Sequence, residues 1–185
     1  MCGTDRKDLI VASVQTDLVI YGPYEIPYDA PKKGISKRIS REHAKQFWGS
    51  GDLSDIKGKQ GCYVFALAVS RGYMPWYVGK ATKTFAQEAL HDHKLVYYND
   101  VVYGGRKGKP VLFFVAKAGG AKKIPKAQID DLETYLIQSA IYKNPEIKNK
   151  QKTKAPMWGI KGVIRGGKGK APATSTSFKK MMRIG

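Results

Sequence analysis

The run Gly61-Cys62-Tyr63-Val64-Phe65-Ala66-Leu67-Ala68-Val69, with Trp76-Tyr77-Val78-Gly79 shortly after it, decides the fold. From Cys62 to Val69 the chain is apolar, which predicts a buried strand. Trp76-Tyr77-Val78 predicts a second strand, and the short segment from Ser70 to Pro75 predicts the turn between them. The hairpin brings two tyrosines, Tyr63 and Tyr77, near one end of a small sheet. A third apolar run, Val111-Leu112-Phe113-Phe114-Val115-Ala116, predicts a third strand.

Helices are expected around these strands. Ser40 to Trp48 predicts a short one with Ser40 as its N-cap and His43 and Phe47 on one side. Thr84-Phe85-Ala86-Gln87 has the T-x-x-Q form of a capping box, with Phe85, Ala86, Ala89 and Leu90 as an apolar face. It predicts a helix at about 84–94. The strongest periodicity lies at about 126–143, where Ile129, Leu132, Leu136, Ile137, Ala140 and Ile141 share one face. Asn144-Pro145 stops that helix. Leu9 to Tyr21 is apolar and β-branched, a strand or short helix. Gly22 to Gly34 carries Pro23, Pro27 and Pro31 and predicts an extended loop.

The expected class is therefore α+β: a small three-stranded antiparallel sheet at about 61–69, 75–79 and 111–117, flanked by helices. Residues 1–60 form an N-terminal extension packing on a core at 61–150. Residues 151–185 form a basic C-terminal extension whose end, from Gly166, is expected to be flexible.

The chain has 185 residues, a net charge of +18 and a pI near 9.8. A field of that sign favours a polyanionic partner, because neutralised phosphates release counterions. Nucleic acid is the expected partner. No long apolar run or basic amphipathic helix supports a membrane. From Lys143 onward the chain carries twelve Lys or Arg and one acid, Glu146. Cys2 and Cys62 are poor candidates for a disulfide, and Cys and His are too few at ligand spacing for structural zinc. The polar start, Met1 to Asp8, resembles no signal peptide, so a reducing cytoplasmic location is expected. The stretches Gly104 to Pro110 and Gly166 to Ala171 contain Gly-Lys without a following Ser or Thr. They are expected to contact a backbone as basic loops and not to form a nucleoside-triphosphate loop.

Candidate chemistry gathers on few residues. Ile129, Glu133, Ile137 and Ile141 are four apart, so Glu133 sits in an apolar stripe. A carboxylate there is costly unless it pairs with a cation, either a lysine or a metal. Tyr63 and Tyr77 are either packing tyrosines or phenols turned to a substrate. His91 is either a surface histidine or a proton carrier.

These residues resemble the GIY-YIG nuclease family from Gly61 to about Asn149. Gly61-Cys62-Tyr63 is similar to its first signature and Tyr77-Val78-Gly79-Lys80 to its second. Glu133 matches the metal-binding glutamate, Asn149 the asparagine that ends the core, and His91 a helix histidine. The resemblance implies a divalent-metal-dependent endonuclease that hydrolyses DNA phosphodiester bonds with Mg²⁺ or Mn²⁺ held by Glu133. Tyr63 would orient or deprotonate the attacking water, its hydroxyl made more acidic by nearby cations. Tyr77 and His91 would assist by hydrogen bonding, and Asn149 would brace the site. One position departs from the pattern. The family's helix arginine is replaced by Gln87, with Glu88 beside it, and no Arg occurs from 72 to 105. Lys80 is the first candidate to supply that charge, with Lys94 and Arg106 behind it. The alternative is a weakened or inactive relative that only binds nucleic acid. Arg106, Lys107, Lys109, Lys150, Lys152, Lys154, Arg165, Lys168 and Lys170 are the expected nucleic-acid contacts.

Overall fold

A computed structural model of the chain describes residues 17–30, 37–70, 72–119, 123–149, 151, 160, 163 and 173–182. It is an α+β fold with a four-stranded, wholly antiparallel sheet. The strands are β1 (Leu18–Glu25), β2 (Gly61–Val69), β3 (Gly72–Ala81) and β4 (Lys109–Lys117), in spatial order β1-β4-β2-β3. The central strand β2 matches its expected limits. It is buried on both faces, which is why it reads as a continuous apolar run rather than an alternating one.

Three strands were expected, and β1 is the fourth. Its second half falls in the segment read as a proline-rich loop. Pro23 sits where the pairing with β4 slips, between Tyr21 and Tyr24. An edge strand tolerates a residue without an N–H at such a break, so the proline does not end the strand. The part of the segment before residue 17 lies outside the described residues.

Helices cover both faces. On one lie α1 (Arg41–Gly49), α2 (Phe85–Glu88) and α3 (Asp92–Tyr103). They bury Phe47, Phe85, Leu95, Tyr98 and Val101 against Tyr63, Phe65, Leu67, Leu112 and Phe114. Phe65 and Tyr98 stack with centroids 4.1 Å apart, and the Tyr98 hydroxyl donates to the Ala89 carbonyl at 2.8 Å. On the other face α4 (Lys126–Lys143) buries Ile129, Ile137 and Ala140 over Cys62 and Val78. Cys62 is buried in this layer, its thiol 3.5 Å from the Ile129 carbonyl oxygen. Ile26, Ile39, Leu53 and Ile56 join the first core, so residues before Gly61 are built into the same body as the sheet. Among the described residues no helix is long and apolar enough to cross a membrane.

Ser40 caps α1 as expected: its Oγ accepts from the His43 N–H at 3.3 Å, and its own N–H donates to His43 Nδ1 at 3.0 Å. Thr84 caps α2, but the helix expected at 84–94 is two. The backbone is extended at His91, the N-cap residue of α3. The apolar face of Leu95, Tyr98, Val101 and Val102 belongs to this second helix and has its own phase. The C-terminal extension contains one more helix. Ala173–Met182 forms a helix, α5, in a segment that lacks the glycines of residues 166–169.

Strand β3 is an edge, and an open edge invites pairing. Residues 144–149 close it. Asn144, the C-cap of α4, donates from Nδ2 to the Pro75 carbonyl at 2.7 Å. The Lys148 N–H donates to Trp76 O at 2.8 Å. Asn149 then pairs both ways with the Val78 backbone: Oδ1 accepts from its N–H at 2.7 Å and Nδ2 donates to its carbonyl at 2.6 Å. One side-chain amide thus takes the place of a neighbouring peptide unit. Val78 is fully buried. Asn149→Ala should therefore cost about 1–3 kcal/mol, the penalty for leaving buried backbone groups unsatisfied. Urea unfolding checks this; an unchanged midpoint would reject the bracing role.

Candidate active site at the edge strand

The two signature glycines have steric reasons. Gly61 has φ +147°, and a Cβ there would lie 2.0 Å from the Val115 carbonyl oxygen. At Gly79 a Cβ would lie 2.3 Å from Cζ and 2.4 Å from the hydroxyl oxygen of Tyr63. The Tyr63 ring therefore lies across the bare backbone of Gly79, its cross-strand partner. Without a glycine there, the hydroxyl could not reach the sheet edge.

Tyr63 and Tyr77 stack loosely, with centroids 6.4 Å apart. Tyr63 is wholly buried, and its hydroxyl faces the Glu88 carbonyl at 3.5 Å. Burial raises its phenol above the ordinary value, with Tyr77 and Glu88 adding to the effect. The expectation has nearby cations lower it; the influences on it here all raise it, desolvation of the phenolate first. Tyr63 is therefore held as a neutral hydroxyl. Burial, with the charge of Glu133, likewise pushes Tyr77 up to about 12.

Glu133 projects from α4 and its side chain is 13% exposed. Lys80, at the end of β3, stands 3.4 Å from its Oε2 and 2.5 Å from Asp130 Oδ1. Asp130 and Glu133 are three apart on α4, hence on one face. The hydrogen bond to Asp130 raises the Lys80 ammonium; desolvation opposes it, and the charge of Glu133 adds to the rise. Asp130 was not expected in the site. Its only sequence signal is that same i, i+3 spacing from Glu133.

Lys94, on the first turn of α3, donates to the Tyr77 hydroxyl at 2.6 Å and lies 5.0 Å from the ring centroid. Burial lowers its pKa, partly opposed by Tyr97, Glu133 and Glu88. Tyr97 stacks on the far face of the cluster, its centroid 5.5 Å from that of Tyr77. The charge of Glu133 is thus felt by two phenols and two ammoniums: Tyr63, Tyr77, Lys80 and Lys94.

Other expected residues sit apart. His91 is exposed at the start of α3, its Nδ1 2.8 Å from that of His93. Gln87 is exposed, and its amide oxygen accepts from the Thr84 hydroxyl at 3.2 Å. Arg106 lies over the Trp76 ring at 4.3 Å and reaches Glu146 at 3.3 Å, so its guanidinium locks a loop onto β3. Lys109 pairs with Glu25 at 3.1 Å, and Lys107 is exposed. Lys150, Lys152, Lys154, Arg165, Lys168 and Lys170 lie outside the described residues.

The raised phenols set a pH dependence. A raised folded-state pKa means the folded chain holds its proton longer than the unfolded one. The contribution to stability is complete below about pH 10, the unfolded value, and is lost as pH rises through the folded value near 12. Tyrosinate absorbance of the folded protein should show Tyr77 ionising near pH 12, and Tyr77→Phe should remove that step. Ionisation of Tyr77 near its ordinary value would show that the cluster is open to water.

No protein-family model, curated protein or solved structure matches this chain.

Proposed function

We propose that the chain is a divalent-metal-dependent endonuclease of the GIY-YIG type acting on DNA phosphodiester bonds. The observation that carries this is the position of Glu133: a largely buried carboxylate among two neutral phenols and two ammoniums, at the edge of a strongly basic protein.

The donor set fits a hard divalent cation. Mg²⁺ takes one or two carboxylates and completes its shell with water and phosphate oxygens. Glu133, with Asp130 one turn before it, supplies such a pair. When bound there, Mg²⁺ or Mn²⁺ would offset charge on the phosphate oxygens and polarise the phosphorus.

The other roles follow from protonation states. Tyr63 and Tyr77 stay protonated at neutral pH, so they orient the attacking water by hydrogen bonds rather than act as its base. Water oxygen bonds to phosphorus and releases its proton to solvent as the ester P–O bond breaks. The departing oxygen needs a proton. Lys94 is suited to give it, since burial makes its ammonium a better acid than an exposed lysine. Lys80 holds Asp130 and Glu133 in register, while Lys94 supplies cationic charge near the tyrosines, where the family arginine would be expected. Asn149 fixes the strand that carries Tyr77 and Lys80. His91 would serve at the rim.

Gln87 in place of the arginine favours the second reading, a relative that binds DNA without cutting it. Plasmid nicking with Mg²⁺ or Mn²⁺ separates the two. Glu133→Gln should lower cleavage by at least about 10²–10³, the range for loss of one charge-stabilising group, while DNA binding in EDTA persists. Lys94→Met should lower the single-turnover rate at saturating protein by about 10²–10⁴, the range of general acid catalysis. Wild-type rates in Glu133→Gln would sink the site assignment. The absence of any cleavage by the wild-type chain would leave the binding reading.

A further inference from the structure

A second feature opens beside this site. A cleft of about 820 Å³ lies where β2 begins and β3 and β4 end. Lys59, Lys83, Lys117 and Lys123 line it, with Asp55 as the one acid among the described lining residues, and Tyr21 offers a half-buried ring. Among the described residues none of the four lysines is paired with a carboxylate. Lys59 instead donates to the Gly119 carbonyl at 2.7 Å, and its ammonium lies 5.7 Å from the Tyr21 ring centroid. Lys80, Lys109 and Lys148, by contrast, are neutralised by Asp130, Glu25 and Asp100. Four like charges around one concavity, with a single acid among the described lining residues, favour a polyanion there.

We propose that this cleft holds the backbone of one strand of the DNA substrate, a few nucleotides from the bond at Glu133. The inference rests on the nuclease reading of the neighbouring site. The spacing agrees with it. Lys80 beside Glu133 and Lys83 in the cleft are three residues apart, at most about 10 Å along an extended chain. Nucleic acid rises about 3.4 Å per nucleotide along a strand, so that main-chain separation spans at most about three nucleotides. The stems and the Tyr21 ring give the cleft apolar walls, against which sugars pack while the ammoniums take the phosphates. The lysines come from four separate places in the chain: the link before β2, the turn after β3, the end of β4 and the approach to α4. Their meeting is a product of the fold and not of a charged run in sequence.

The test uses the full chain and a fluorescent DNA duplex in EDTA, with affinity measured across a salt series. Each phosphate contact contributes about 0.9 to the log–log slope. Lys83→Gln/Lys123→Gln, which keeps neutral stems at two exposed positions, should make the slope shallower by up to about 1.8 and weaken binding at low salt. Lys45→Gln, on the exposed side of α1, controls for one lost charge. Circular dichroism confirms folding. A double variant whose slope equals that of the wild type overturns the cleft proposal even if Glu133→Gln abolishes cleavage. A shallower slope in a chain that never cuts DNA upholds the cleft and fails the nuclease reading instead.

Discussion

The Tyr63 ring lies across Gly79, and the geometry of the site depends on that contact. Tyr63 comes from the central strand and belongs to the largest core cluster. Its hydroxyl reaches the sheet edge only because the edge strand lacks a Cβ at the crossing point. A side chain there would push either the ring or the strand. Displacing the ring would open the core against Phe85, its edge-to-face partner at 6.4 Å. Displacing the strand would move Tyr77 and Lys80. Packing thus ties the position of the phenols to the core, and rigid support of this kind holds reacting groups within the small tolerances that catalysis needs.

The edge strand has the opposite problem, since its outer side has no neighbouring strand. Closure by Asn144, Lys148 and Asn149 satisfies outward groups of Pro75, Trp76 and Val78 without adding a strand. That leaves room beside β3 for α3 and α4 to bring Lys94 and Glu133 toward it from opposite faces of the sheet. Another strand at this edge would occupy the space. The charges then balance locally: two carboxylates and two ammoniums, with burial lowering one ammonium while carboxylates raise the other. Two lysines in one cluster therefore differ in acidity through their surroundings alone.

Much of this was legible in the chain. The buried central strand announced itself as an apolar run, and the long helix by its period and its Asn-Pro stop. Glu133 stood out as a carboxylate in an apolar stripe. What escaped has physical causes. The fourth strand was hidden by prolines that an edge and a bulge tolerate. The break at His91 has no Gly or Pro to mark it and depends on the tertiary burial of Leu95 and Tyr98. Asp130 has only its spacing from Glu133 to mark it, because its partner Lys80 lies fifty residues away; Lys94 stands among the candidate cations in sequence, but its bond to the Tyr77 hydroxyl does not. Cations can be counted in sequence and desolvation cannot, so the burial that raises the Tyr63 phenol has no local signal.

The distribution of charge follows the same division. Of the cations that the fold brings into view, Lys109, Lys148 and Arg106 bind carboxylates, and Arg106 also covers Trp76, so they hold segments to the sheet. Being basic is not enough to make a residue a contact for a polyanion. A lysine that is paired must first give up its carboxylate, and the two costs largely cancel. The net charge of +18 therefore acts on a partner mainly through lysines that no acid of the fold has taken. Among the described residues those around the cleft at the end of the sheet meet that condition and stand together, so the fold, not the density of Lys in sequence, gathers this charge at one surface.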